Sequence, residues 1–186
     1  MKESLGPAST VYPEPVFIIG TYNDDGTPNA MNAAWGGIAN ENRIMICVDK
    51  GHRTAHNLVK RGAFTVSMAD EDTVVACDYV GIVSGNDEPD KFAKAGFTAR
   101  RSEFVDAPII EELPMALECE LVSYDIETNH MVGRIVNVSV DESVLGDDGK
   151  VDAGLLQPLV YDPCRLEYRV LGAVAGKAFS DGRKLA

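Results

Sequence analysis

Apolar positions along the chain fall into short runs separated by turn residues, and most of these runs have the alternating or unbroken apolar character of strands. Val16 to Tyr22 is β-branched and aromatic and enters Asn23-Asp24-Asp25-Gly26-Thr27-Pro28, a cluster with hairpin-turn chemistry. The pattern predicts a strand, a turn and a return strand over Ala30 to Ile38. That return segment is small and partly polar, with Asn32, Ala33, Ala34, Gly36 and Gly37 leaving little side chain to pack. Small residues of this kind let another group approach the backbone.

Arg43 to Asp49 predicts a compact strand that empties into Lys50-Gly51-His52-Arg53-Thr54. Beyond that loop Ala55, Leu58 and Val59 fall at i, i+3 and i+4, and Gly62 stands where a helix ends. Ala63 to Ala69 predicts a further strand, with Phe64, Val66 and Met68 on one face. Glu71 to Val83 predicts a second helix and Asp90 to Ala95 a short third, with Ser84-Gly85-Asn86-Asp87 as the turn between them. Leu117 to Tyr124, Val132 to Val140 and Leu166 to Val170 read as strands that complete a sheet. Strands at both ends with helices inserted between them predict a mainly β fold, an antiparallel barrel or curved sheet with helices outside. The βαβ alternation of a doubly wound sheet is missing, and no G-x-G-x-x-G follows a strand. With no repeat or linker, residues 1–186 read as a single domain.

Composition narrows the partners. The 29 acidic residues exceed the 17 basic ones, for a net charge of -12, which repels phosphate backbones and anionic lipid surfaces. Nucleic-acid and membrane partners are therefore not expected. The first residues hold no apolar run of the kind a secretory leader needs, and no stretch approaches a membrane span, so a cytoplasmic location is expected. Cys47, Cys77, Cys119 and Cys164 form no C-x-x-C pair, a pattern of reduced thiols and not of a zinc knuckle or dithiol centre.

Against this acidic background Lys50, His52, Arg53 and Thr54 concentrate positive charge and a hydroxyl where a strand feeds a helix. Such a place binds anions, because free N–H groups and the positive end of the helix dipole attract a phosphate. Solvated loop charges are the plainer alternative. His52 and His56 are spaced as in zinc-protease helices, but Arg53 stands where the glutamate would be, and no metal site is expected. Asn32 to Trp35 offers a flat strand against which a heteroaromatic ring can lie, its backbone facing the ring's polar atoms and Asn32 supplying an amide. Trp35 as a plain core anchor is the competing reading. His130, before a strand in a His-poor chain, is either structural or a donor beside a cofactor. No G-x-S-x-G marks a hydrolase.

Taken in order, these segments resemble the flavin-reductase-like, FMN-binding split-barrel family, flavoredoxin type. The matching features are Asn29 to Trp35, the basic loop with Arg53-Thr54, Val83-Ser84-Gly85 followed by Asp90-Lys91-Phe92, Asn129-His130-x-x-Gly133, and Pro158 to Tyr161 with Gly172. The resemblance implies a homodimer with FMN near the subunit interface. Asn32, Ala33, Ala34 and Trp35 would then face the flavin ring and ribityl chain. Lys50, His52, Arg53 and Thr54 would face the phosphate, with Ser84, Lys91 and Phe92 as further contacts. His130 would sit at the open face of the ring, the one candidate catalytic residue. NADH or NADPH is implied as co-substrate, with free flavin, a ferric complex or a redox protein as acceptor. A carrier without NAD(P)H activity and a non-catalytic flavin-binding module are the alternatives. The family's strand more often has Thr and Ser where this chain has Asn32 and Ala34, a difference that bears on the flavin's hydrogen bonds.

Overall fold

The computed structural model describes residues 1–185. The chain begins with an exposed arm and a two-residue strand, β1 (Glu14–Pro15), then β2 (Phe17–Tyr22), β3 (Pro28–Ala33), β4 (Gly36–Asn40) and β5 (Arg43–Cys47). Helix α1 (Arg53–Arg61), β6 (Ala63–Met68), α2 (Val74–Ile82) and the short α3 (Lys91–Lys94) follow. A hairpin of β7 (Ala99–Arg101) and β8 (Pro108–Ile110) leads into the long strands β9 (Met115–Asp125) and β10 (His130–Val140). A short helix α4 (Ala153–Leu156), β11 (Leu159–Asp162) and β12 (Glu167–Val170) close the chain's ordered β structure.

Seven strands form one antiparallel sheet in the order β3-β2-β6-β9-β10-β5-β4. Its two edge strands, β3 and β4, are consecutive in sequence and separated only by Ala34 and Trp35. Three Cα–Cα steps span at most about 11 Å, so the sheet must curl until its edges nearly meet. The result is a half-barrel, in agreement with the expected curved sheet. A second sheet, β1-β11-β12, lies beside it.

The expected return strand over Ala30 to Ile38 is thus two strands with different partners. Its first part pairs with β2, Phe17 opposite Ala33 and Tyr22 opposite Pro28, while its second pairs with β5, Gly36 opposite Ile46. The turn into it is the expected hairpin, with Gly26 at φ 86 and Asn23 N–H donating to Thr27 O at 2.8 Å.

The unbroken apolar character of β2 follows from burial on both faces. Phe17 and Ile19 pack into the barrel with Ile44, Ile46, Phe64 and Met131. Val16 and Ile18 pack on the other side with Cys77, Val80, Phe92 and Ile110, beneath α2 and α3. On α1, Ala55 and Leu58 reach the barrel core as expected, but Val59 is exposed and the polar Thr54 and Asn57 take the buried positions beside them. Gly62 ends α1 in the left-handed region at φ 67, its N–H donating to Leu58 O at 2.9 Å. The second helix starts at Val74, three residues later than expected, because Asp70 Oδ1 accepts from the Thr73 N–H at 2.9 Å and the Thr73 hydroxyl at 2.7 Å. That side-chain turn holds the intervening acidic residues outside the helix.

Glu118, fully buried on β9, ties that strand to the neighbouring β10 and to the loop of the β7–β8 hairpin. It accepts from the Asn137 amide at 2.6 Å and from the hydroxyls of Ser102 and Ser139. Burial pushes its carboxyl upward, but these donors outweigh that effect and hold it below the usual carboxylate range.

Candidate functional site

The basic loop after β5 is fixed by its neighbours. Asp49 Oδ1 accepts from Gly51 N–H at 2.8 Å, and Asn129, itself left-handed at φ 59, grips the loop from the opposite hairpin. Asn129 O accepts from Val48 N–H at 2.9 Å, its Oδ1 from Lys50 N–H at 3.3 Å, and its Nδ2 donates to Asp49 Oδ2 at 3.2 Å. The loop then delivers His52 as the N-cap of α1. No side chain caps this N-terminus and no acidic residue stands in its first turn. Its dipole and amides are directed at whatever lies in front of it.

In front of it is a cleft of about 220 Å³. Asn32 from β3, His52 at the cap of α1, Arg53 and Thr54 from α1, Ser84 from the α2–α3 connection and Lys91 from the start of α3 line it. No carboxylate is among its lining residues, in a chain with net charge -12. Gly85 completes the wall: a Cβ there would lie 2.6 Å from Asn29 Oδ1 and 3.2 Å from Arg53 Cβ, so only glycine lets the turn approach α1 this closely. Asn86 Nδ2 donates to Gly51 O at 2.9 Å and ties that turn to the basic loop.

The polar side chains here are partly committed to the protein. Thr54 Oγ1 accepts from Asn29 Nδ2 at 2.9 Å, which leaves its own proton free to donate. Asn32 Nδ2 donates to Cys77 O at 3.2 Å, leaving its carbonyl oxygen. Lys91, 3% exposed, donates through Nζ to Val80 O at 3.0 Å and Val83 O at 2.9 Å, closing the C-terminus of α2. Burial lowers its pKa to about 8.

The remaining sequence candidates are placed elsewhere. Phe92 is buried in the core under α2 and α3, edge-on to Phe97 at a centroid distance of 5.7 Å, and does not line the cleft. Lys50 is exposed outside the lining. Ala33 is buried, whereas Ala34 and Trp35 line a second, larger cleft on the N-terminal side. His130 is exposed on β10 opposite Cys47 and lines neither cleft. The nearby Gly133 has a packing role: a Cβ there would lie 2.3 Å from Phe64 Cζ. Sequence reasoning did not single out Asn129 or Asn29 as positioning residues. The Asn before His130 was visible, but nothing in the sequence showed that it takes the left-handed backbone or reaches the Lys50 loop.

A family model described as a flavin reductase like domain matches residues 9–168. The chain belongs to the flavin-reductase-like family. Among solved structures it is 42% identical to the flavoredoxin of Desulfovibrio vulgaris (Miyazaki F), with a TM-score of 0.93 over 98% of this chain and 100% of that one. A flavoredoxin from Methanosarcina acetivorans is 29% identical, with a TM-score of 0.90 over the whole of both chains. An FMN-binding domain of a flavin reductases-like enzyme from Shewanella baltica, 16% identical with a TM-score of 0.78 over 88% of this chain and 89% of that one, shares the fold. The family's split-barrel architecture accounts for the half-barrel whose edges meet at Ala34–Trp35.

Proposed function

We propose that this flavin-reductase-like protein holds FMN with its phosphate at the N-terminus of α1 and its ring along Asn32 to Trp35, and passes electrons through it. One observation carries the reading: a carboxylate-free cleft stands before an uncapped helix N-terminus, with Arg53 at its wall. The residues fit a phosphate, since the helix amides, the Thr54 hydroxyl and the guanidinium are all donors and the Gly85 wall admits close approach. His52 lies beside them, and Lys50 extends the positive charge at the rim. Asn32 retains a carbonyl oxygen for a ribityl hydroxyl or a ring N–H.

When bound, FMN supplies the redox chemistry, taking up two electrons and giving them out singly or together. This chain's residues bind and orient. Lys91 fixes the end of α2 against the cleft, and Asn129 fixes the loop that carries Lys50 and His52. No side chain need act as an acid or base. His130, on the outer end of β10, is reserved for a donor or partner approaching the exposed side. NAD(P)H is the proposed donor and a homodimer the proposed assembly. The 42% identity to a flavoredoxin over nearly the whole chain favours a second reading, a carrier reduced by another protein.

The test is the visible spectrum of the purified chain, followed by anaerobic addition of NADH or NADPH. Yellow protein that bleaches within seconds supports the NAD(P)H-dependent reading. Yellow protein reduced only by a protein donor selects the carrier. Colourless protein that takes up no added FMN refutes both.

A further inference from the structure

Cys47, the last residue of β5, lies directly opposite His130 of β10, and His130 in turn lies opposite Asp125 of β9. Cross-strand partners share a face of the sheet. Here it is the face turned away from the barrel, since the next residues along, Ile46 and Met131, point into the core. The Cys47 N–H donates to Trp35 O at 2.8 Å, so its backbone groups turn toward β4 and away from β10. Cys47 and His130 are therefore a non-hydrogen-bonded pair, with Cα atoms about 4.5 Å apart and side chains at their closest. The register is pinned on both sides: Asn129 O accepts from Val48 N–H at 2.9 Å, and the Tyr124 hydroxyl donates to Val48 O at 2.8 Å. Asp125 Oδ1 accepts from the N–H groups of Glu127 and Thr128 at 2.9 and 3.3 Å. These bonds, that of Glu127 first, hold its carboxyl below the usual carboxylate range and leave Oδ2 to the imidazole. Thiol, imidazole and carboxylate thus stand in line on three strands, and among the described residues no three such groups converge as metal ligands do.

An imidazole beside a thiol can take its proton and leave the thiolate, the nucleophilic form. The four thiols of the chain differ in this respect. Burial pushes Cys77 up to about 11 and Cys119 up to about 12. The exposed Cys164 lies beside the Asp162 carboxylate, to which its own N–H donates at 3.0 Å. Cys47 is the one opposite an imidazole, and it is half-buried at the side of the larger cleft. The nearest acidic group on its own strand end, Asp49, is committed to Gly51 and Asn129. We propose that Cys47 is a site of oxidation by hydroperoxides, with His130 as the base that takes its proton and Asp125 as the positioning residue that orients the imidazole. The thiolate attacks one peroxide oxygen; the S–O bond forms as the O–O bond breaks, and His130 returns the proton to the departing oxygen. Sulfur gives up two electrons and becomes a sulfenic acid, while hydrogen peroxide is reduced to water. Neither role draws on a bound flavin.

The four cysteines serve as one another's controls. The protein as purified is pulsed with iodoacetamide at neutral pH, and in a second sample with hydrogen peroxide and dimedone, and each thiol is followed by peptide mass spectrometry. Cys47 is expected to be alkylated at least about fivefold faster than Cys164, although Cys164 is the more exposed, and to carry the dimedone adduct of a sulfenic acid. Unreacted Cys77 and Cys119 report that the fold is intact. His130→Gln is expected to slow Cys47 at least about fivefold and to leave Cys164 unchanged. Asp125→Asn is expected to slow Cys47 about twofold or more, with Asp125→Glu restoring most of the rate. A Cys47 that reacts no faster than Cys164, that gives no dimedone adduct, or whose rate is unchanged in His130→Gln would overturn the proposal. Equal rates in Asp125→Asn and the parent would remove Asp125 from it. The comparison of Cys47 with Cys164 in the unmodified protein decides the matter if a variant does not fold.

Discussion

The ammonium of Lys91 donates to the carbonyl oxygen of Val83 at 2.9 Å from a position that is 3% exposed. With a second bond to Val80 it satisfies carbonyls that the end of α2 would otherwise leave unpaired. The motif Asp90-Lys91-Phe92 places its lysine and its aromatic ring in the protein's own structure, the one as a helix stop and the other as core.

Burial lowers the Lys91 pKa to about 8 from 10.5. Between these values the unfolded chain holds a proton that the folded chain has released, so stability rises with pH across this window. Measured against Lys91→Met by urea denaturation, the wild-type chain is expected to gain relative stability from pH 7.5 to 10. The gain is bounded by roughly 3 kcal/mol, one pKa unit being worth about 1.4. A pH-independent difference would mean that Lys91 stays charged throughout.

Glu118 gives the same sign in the acid range, stability again rising with pH. Its carboxyl is held below the usual range, so its contribution is full above about pH 4.5 and lost as pH falls through its folded value. Glu118→Gln replaces an acceptor oxygen with a donor facing Ser102, Asn137 or Ser139. It is expected to cost about 1–3 kcal/mol at neutral pH. The wild-type advantage should shrink between pH 5 and 3, read from thermal or urea midpoints.

Gly133→Ala drives a Cβ to 2.3 Å from the Phe64 ring. Both residues sit at the centre of the barrel, where the ring has little room to move, and a loss of about 1–3 kcal/mol is expected. The double variant with Phe64→Leu should lose less than the sum of the two single changes, because the smaller side chain leaves room for the added methyl. Additive losses would show that the backbone, and not the ring, gives way.

Arg53→Ala is expected to weaken FMN binding by roughly 10- to 150-fold, the range of a charge-assisted bond worth about 1.5–3 kcal/mol. The flavin-free unfolding midpoint should stay nearly unchanged, since Arg53 is partly exposed. Affinity within about twofold of the parent would remove the phosphate from this helix.

The parts of the fold legible in the sequence are those where one element faces one environment. Val16 to Tyr22 reads as a strand because both of its faces are buried, and the Asn23–Thr27 turn carries its own chemistry. The break at Ala34–Trp35 was hidden, since small residues pair equally well in one long strand or two. The hairpin β7–β8 has three residues a side, too few to establish a period. In the site, the basic loop and Arg53 stood out because charge of that sign is scarce. Asn29, Asn129 and the inward turn of Lys91 act through contacts with residues far along the chain, and nothing local marks such partners.

Because Ala34 and Trp35 join the two edges of the sheet, the slit between those edges is tethered at one end. Near Ala33 and Gly36 it can open no wider than two linking residues allow. Widening is left to the other end, where Pro28 and Asn40 are free to diverge. The barrel can therefore respond to an occupant only as a wedge does, pivoting about a fixed apex at Ala34–Trp35.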